Sequence, residues 1–447
     1  MKSLNRRNFL KNTGSVAAAA VAAPVVKTVW SGQSPNESIR IAVIGLNGRG
    51  QAHYREWTKI PNVKVTYLCD VDERIFPTHL KALEKLQPSL KPRTEVDIRR
   101  VLEDKEVDAI SVATPDHWHA LATIWGCQAG KDVYVEKPTC HNIWEGRRMV
   151  DAARKYNRIV QAGMQNRSNK SVQAAMKFLH EGGIGEVYMA KGLCFKPRES
   201  IGKKANSPVP DGLHYDMWLG PAPYRPYNPN YVHYNWHWFW DYGCTDLGNQ
   251  GPHQMDIARW GMNKHDYPTR IHCAGGMFVW DSDQETPNTQ MATMEFADGK
   301  ILQFEARGMY TNAEDGIIIG NLFYGSKGWM HLNESTWKTY MGRKNEPGPG
   351  MDSKEEGANP MNLLGTGDSN HFKNFIDCVR SRKMSELTAD IEEGQRSTAY
   401  CHLANVAYRL KRQLQFDGNT ESFVNDPQAD GYLARRYRAP YVVPDKV

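Results

Sequence analysis

The 447-residue chain contains no run of about 18 apolar residues, so no membrane span is expected. Its eight cysteines, at 69, 127, 140, 194, 244, 273, 378 and 401, form no C-x-x-C pair and no regular framework. That sets structural zinc aside and leaves a disulfide open. Cys69, ending a predicted core strand, reads as a small buried hydrophobe. No cysteine precedes it, so a lipid anchor near the start has no support. A strong excess of one charge is also lacking. The net charge of +6 falls to +2 once Lys2, Arg6, Arg7 and Lys11 are set apart, and nothing in that balance asks for nucleic acid or an anionic membrane. Apolar residues at 40% and charged residues at 24% are ordinary for a globular protein, and the length predicts about two domains plus extensions.

The four basic residues set apart belong to a segment of their own. Residues 5–11, NRRNFLK, precede a small-residue apolar stretch at 16–26, with Ala20-Val21-Ala22 as a cleavage site. This resembles a twin-arginine export signal, with Asn5 where Ser or Thr is commoner. Residues 1–30 are therefore excluded from the fold, and a periplasmic location is expected. A periplasm has no replenished pool of free dinucleotide, so a cofactor protein there must keep its cofactor and restore its oxidation state each cycle.

Residues 39–50, IRIAVIGLNGRG, organise the chain beyond that segment. A short β-branched apolar run predicts a strand buried on both faces, then a glycine turn, then a helix at 53–60. That order holds a dinucleotide pyrophosphate at a helix N-terminus, where backbone N–H groups and the helix dipole favour negative charge. In G-x-G-x-x-G the middle glycine would fall at Asn47, and Gly48 stands beside it. Asn tolerates a left-handed backbone best among non-glycine residues, so the turn survives. A second apolar run, 63–68, leads to Asp70, an acid suited to both ribose hydroxyls. NAD is expected; Arg49 or Arg74 can still admit NADP.

From 39 to 163 predicted strands and helices alternate, which implies a doubly wound parallel sheet with its ligand at the strands' carboxyl ends. His117 and His119, with Asp116, suggest a metal site. Residues two apart do not share a helix face, and Asp116 reads as an N-cap, so no metal is expected. Val135-Glu136-Lys137-Pro138 lies at a strand end and positions a cation. With the glycine turn, Asp70 and a later Gly251-Pro252-His253, it resembles the Gfo/Idh/MocA oxidoreductase family over nearly the whole chain beyond residue 30. The resemblance implies a Rossmann domain over 31–164. It also implies a substrate-binding and oligomerisation domain over 165–447, an α+β unit with a mostly antiparallel open sheet, closing helices and a tail. A homodimer or homotetramer is implied as well. The implied cofactor contacts are Gly45, Asn47, Gly48, Arg49, Gly50, Asp70, Thr114, Pro115, His119, Glu136, Lys137 and Gln165.

Residues 236–256, WHWFWDYGCTDLGNQGPHQMD, carry the other half of the chemistry. The family places a His one turn after an Asp, opposite the lysine of Glu-Lys-Pro. Here His253 matches the His and Asn249 occupies the Asp position. Asn249 can orient a hydroxyl but holds no charge; Asp246 and Asp256 are nearby carboxylates. His253 is read as general acid/base and Lys137 as alkoxide stabiliser, with the roles exchangeable. Substrate contacts are expected from Lys137, Arg167, Trp236, Trp238, Asn249 and His253, with Lys191 and Lys196 as weaker candidates. Ten aromatic residues between 215 and 240 serve either as a platform for pyranose C–H faces or as core.

The leading reading is an exported NAD-dependent dehydrogenase of a sugar, glycoside or polyol. One alternative is a redox-neutral glycoside-cleaving enzyme that oxidises, eliminates and reduces. Another is a non-catalytic NAD- or sugar-binding protein.

Overall fold

In the computed structural model residues 38–351 and 367–447 are described. The expected export segment, 1–30, lies outside them. The opening run forms β1 (Ile39–Ile44), followed by α1 (Arg49–Trp57), β2 (Val63–Cys69), α2 (Phe76–Leu86), β3 (Arg93–Glu95) and α3 (Ile98–Glu103). Then come β4 (Ala109–Val112), α4 (Asp116–Gln128), β5 (Asp132–Val135), α5 (Ile143–Lys155) and β6 (Val160–Ala162). The six strands are all parallel in the order β3-β2-β1-β4-β5-β6. The order reverses between β1 and β4, and a crevice opens at their carboxyl ends.

Coverage of both faces explains why β1 is apolar at every position but Arg40. Ile41 and Val43 face a core that holds Tyr54, Trp57 and Leu83, while Ala42 and Ile44 face one that holds Leu121, Ile124 and Val150. Distant segments complete both layers. Phe372, Phe375 and Ile376 enter the first, and Tyr441 and Val443 the second.

The chain continues through α6 (Lys170–His180), β7 (Val187–Cys194), α7 (Tyr215–Leu219), α8 (Thr245–Asn249) and α9 (Gly251–Gly261). Strands β8 (Arg270–Gly276), β9 (Thr289–Glu295), β10 (Ile301–Arg307), β11 (Ile319–Gly325), β12 (Gly328–Leu332), β13 (Trp337–Met341) and β14 (Glu346–Met351) come next. Last are α10 (Gly367–Ser381), α11 (Ile391–Leu410), β15 (Leu414–Asp417), β16 (Ser422–Phe423) and α12 (Pro427–Asp430). The second sheet runs β14-β13-β12-β11-β7-β10-β9-β8-β15-β16 and is antiparallel except where β7 meets β10. Alternate residues such as Ala292, Met294, Leu302 and Phe304 turn inward against α9 and α11. Density in glycine, proline and charge predicts a loop over 345–367, of which 352–366 lie outside the described residues, yet 346–351 pair as β14 despite two glycines and two prolines in the stretch 346–350. An edge strand tolerates proline because one side of it needs no ladder bond.

Candidate active site

At the end of β1 the left-handed positions fall on Gly45 (φ 84°) and Gly48 (φ 78°). Asn47 has no positive φ, which corrects the expectation that it carries the left-handed turn. Gly48 supplies that conformation one residue later. Gly50 is needed for a different reason: a Cβ there would lie 1.9 Å from the Gly45 carbonyl oxygen, so the helix approaches its own loop as only glycine permits. Helix α1 begins with no acidic residue in its first turn, leaving its positive end uncompensated.

Asp70 stands beside this loop. Its carboxylate accepts the Leu46 N–H at 2.7 Å and the Asp72 N–H at 3.0 Å, and burial raises its pKa. Arg49 donates from Nε to Glu136 at 2.8 Å and pairs with Asp368 at 2.9 Å. Arg74 is held by Asp72. Glu136 Oε1 also accepts from Gln165 at 3.0 Å and meets His53 Nε2 at 3.0 Å. Burial pushes the Glu136 pKa up, but Arg49 and His53 more than reverse it, and the carboxylate sits well below its usual range.

One cleft, with a cavity volume of about 340 Å³, is lined by Gly45, Asn47, Gly48, Arg49, Asp70, Thr114, Pro115, His119, Glu136, Lys137 and Gln165. It also takes in Trp236, Asn249 and His253, so the structure brings together eleven of the twelve expected cofactor residues and the three expected catalytic ones. Gly50, the twelfth, lies behind the loop. His119 lines the wall without offering a free ring nitrogen. Its ring sits between the Thr114 and Pro138 carbonyl oxygens, at 2.8 and 2.6 Å, and so ties two loops of the cleft together. His117 is likewise spent on the Trp218 carbonyl at 2.9 Å. No group of three or more His, Cys, Asp or Glu among the described residues is placed to hold a metal.

Lys137 reaches across to the second half of the site, donating from Nζ to Asn249 Oδ1 at 3.1 Å and to the Asn249 carbonyl at 2.5 Å. Burial lowers its pKa, offset in part by Glu136 and Asp116. Asn249 closes α8 and His253 lies in α9, so the expected single helical turn is two short helices broken at Gln250. Burial and then the Lys137 charge lower the His253 pKa to about 3, which leaves a neutral imidazole at neutral pH.

Two expected substrate contacts are corrected. Arg167 does not line the cleft; it forks onto Asp256 at 2.7 and 2.8 Å and onto Glu393 at 3.0 Å, with its guanidinium over Trp260. Trp238 is 4% exposed and packs under the Arg198 guanidinium. The nearby carboxylates are also committed, Asp256 to Arg167 and Asp246 to Arg198 at 2.6 Å. Lys191 pairs with Glu305 and Glu314, whereas Lys196 does line the cleft. Most of the aromatic run is buried: Tyr215, Trp218, Tyr227, Tyr231 and Phe239 pack on one another and on Tyr242, with Trp218 also reaching the cleft wall. Trp236 faces the cleft, stacked on His237 at 3.6 Å. All eight cysteines are free and buried.

Sequence reasoning missed His233, His237 and Asp116 as lining residues. Asp116 is not the N-cap; Pro115 holds that position, and no side chain caps α4. The signal for His233 lies in space alone. The segment around it is fastened beside Asp70: His233 Nε2 meets Asp72 at 2.7 Å, His214 N–H donates to the Val71 carbonyl at 2.8 Å, and Glu73 N–H to the Gly212 carbonyl at 2.9 Å.

The walls suit a nicotinamide dinucleotide. The glycine cradle, an acid at the end of β2, and three buried polar atoms without hydrogen-bond partners, Thr114 Oγ1, Asp116 Oδ2 and His253 Nδ1, leave ligand contacts to be made. A parallel sheet of this order, with that cradle and a lysine and histidine at its carboxyl edge, defines a dinucleotide-dependent oxidoreductase fold. Family models agree: "Oxidoreductase family, NAD-binding Rossmann fold" matches residues 39–164, and "Oxidoreductase family, C-terminal alpha/beta domain" matches 187–321 and 362–443. The chain belongs to the Gfo/Idh/MocA oxidoreductase family.

Among solved structures, the WlbA dehydrogenase from Bordetella pertussis in complex with NADH and UDP-GlcNAcA is similar at 19% identity, with TM-score 0.61, 85% of this chain and 99% of that one covered. Levoglucosan dehydrogenase in complex with NADH is similar at 15% identity, with TM-score 0.64 and coverage of 85% and 99%. Aldose-aldose oxidoreductase from Caulobacter crescentus is similar at 14%, with TM-score 0.62 and coverage of 85% and 100%. These share the fold. A curated relative, glycosyl hydrolase family 109 protein 1 of Shewanella sp. (strain ANA-3), is 26% identical over 172 residues. That match spans 34% of this chain and 38% of the relative's length.

Proposed function

We propose that the protein transfers hydride between a secondary hydroxyl of a sugar, glycoside or polyol and a nicotinamide dinucleotide that it retains between turnovers. The observation that carries this reading is the single cleft that joins the glycine turn and Asp70 to Lys137, Asn249 and His253. Bound there, the nicotinamide would supply the hydride acceptor. The remaining work belongs to this chain's side chains.

A hydroxyl proton has to leave as the C–H bond breaks. His253, neutral to about pH 3, is a weak base, whereas burial lowers the Lys137 pKa from its usual value, so the expected roles exchange. Lys137 Nζ takes the proton and then holds the developing oxyanion as an ammonium; His253 orients the hydroxyl; Asn249 fixes Nζ from the far wall. Trp236 offers an aromatic face for a pyranose ring.

Two features favour NAD over NADP: Asp70 repels a 2′-phosphate, and Arg49 and Arg74 are already paired with carboxylates. The segment pinned by Asp72 and Val71 passes beside the ribose end of the cleft, which suits a cofactor that stays bound, as the expected export to the periplasm requires. Exposed Tyr188 on β7 and Met291 on β9 suit assembly into a homodimer or homotetramer.

The test is direct. Denaturing the purified protein should liberate NAD or NADH, identified by mass spectrometry, and a sugar panel should change the absorbance of its reduced nicotinamide only while Lys137 is intact. A Lys137→Ala variant should retain its dinucleotide and lose roughly 10²–10⁴ in kcat. Absence of any bound or bindable dinucleotide defeats the proposal. The named glycosyl hydrolase relatives favour a second reading, redox-neutral glycoside cleavage. Release of reducing sugar without net NADH would select it.

A further inference from the structure

Lys137 is half-buried, and both of its hydrogen bonds end on neutral oxygens of Asn249. An ammonium placed so needs a counter-charge. Glu136 is adjacent, but its carboxylate is engaged by Arg49, His53 and Gln165. Asp246 and Asp256 are held by Arg198 and Arg167. Of the other carboxyl groups lining the cleft, Asp97 is paired with Arg99 and Asp70 accepts two backbone N–H groups, which leaves Asp116 with neither kind of partner. Asp116 opens α4 directly after Thr114 and Pro115, is 2% exposed, and lines the cleft with Lys137 and His253. Its Oδ2 has no hydrogen-bond partner, and the Cys244 thiol donates to the carboxyl group. Burying a carboxyl with so little compensation costs stability, so a packing role alone does not account for it.

We infer that Asp116 is the positioning carboxylate of Lys137, supplying from the parallel-sheet wall the negative charge that Asn249 lacks on the opposite wall. This inference rests on the oxidoreductase reading. When the substrate O–H bond breaks, its electron pair stays on oxygen, the proton forms a new N–H bond on neutral Nζ, and the resulting ammonium is offset by Asp116. In the reverse direction the same proton returns to the alkoxide.

Burial drives the Asp116 carboxyl well above its usual pKa while Lys137 pulls it back, and Asp116 in turn raises Lys137 against its own burial. The other groups facing the pair are Glu136, Arg49 and Arg198 toward Lys137, His119, His237 and His253 beside it, and Cys244 against Asp116.

The experiment reads Lys137 itself. Reductive methylation with formaldehyde and cyanoborohydride, followed by peptide mass spectrometry from neutral to alkaline pH, gives the midpoint at which the amine becomes reactive. In Asp116→Asn the midpoint should fall by about one pH unit, so labelling below it runs roughly tenfold faster. Adding Asn249→Asp to that variant should restore the midpoint, because the new carboxylate replaces Oδ1 at 3.1 Å from Nζ. Asp116→Ser offers the same reading if the Asn variant fails to fold. An unmoved midpoint in a folded variant overturns the inference. Since labelling needs no substrate, failure to oxidise any sugar would count against the proposed function and leave this result standing.

Discussion

The three glycines of the first turn lie within six residues, yet alanine should affect them very differently. Gly48 has φ 78° and ψ −110° and no atom within 4 Å of where a Cβ would sit, so Gly48→Ala meets only backbone strain, about 1–3 kcal/mol. Gly45, at φ 84°, adds a Cβ 2.6 Å from the Ala113 carbonyl oxygen, a backbone atom that cannot swing aside. Overpacking of that kind costs roughly 1–3 kcal/mol, giving about 2–5 kcal/mol in all. At Gly50 the helical backbone is unstrained, but 1.9 Å from the Gly45 carbonyl forces α1 off the loop, at or above the top of that overpacking range. A loss of about 3 kcal/mol at the cradle is a fall of more than a hundredfold in dinucleotide affinity. Titration of NADH into apoprotein, with urea midpoints alongside, should rank Gly48→Ala well above the other two. Equal losses at all three, or a Gly48 variant weaker than Gly50→Ala, would refute the assignment of close approach to Gly50.

Three further outcomes are expected. Arg167→Ala leaves Asp256, which is 1% exposed, with only Ser397 and the more distant Arg259, and should lower stability by about 1.5–3 kcal/mol in chemical denaturation while leaving KM unchanged. Asp72→Ala removes the anchor of His233 and Arg74, and stopped-flow chase of bound NADH should show release at least tenfold faster, on the order of one charged hydrogen bond. His117, His237 and His253 are depressed to about 3, and His371 and His402 to about 4, in each case chiefly by burial. Their unfolded counterparts bind protons from about pH 6.5 downward, so the stability they confer is complete above that value. It is lost as pH falls toward 4, at up to about 1.4 kcal/mol per histidine per pH unit. Acid titration followed by circular dichroism should show unfolding well above the carboxylate range.

The parallel half was legible because its signals are local. The apolar run, the glycines and Asp70 each act within one strand–turn–helix unit, and Lys137 stands where such a sheet exposes its edge. The rest depends on partners far away in sequence. Arg167 looked available until Asp256 and Glu393 came within reach, and Trp236 and Trp238 are indistinguishable by type although one faces the cleft and the other the core. Asp116 fitted a cap by position, and only its burial in the same cleft wall as Lys137, beside the Cys244 thiol, gives another role. Strand β14 escaped because glycine and proline report backbone freedom and say nothing of a neighbour that accepts pairing.

Phe372 and Phe375 touch Trp57, and Tyr441 touches Trp118, so the first sheet to leave the ribosome is sealed by residues made long after it. Nascent chains stalled short of residue 372 should therefore remain protease-sensitive throughout β1–β6. Closure of the opening half is therefore expected only once Tyr441 has been made, long after that half has emerged.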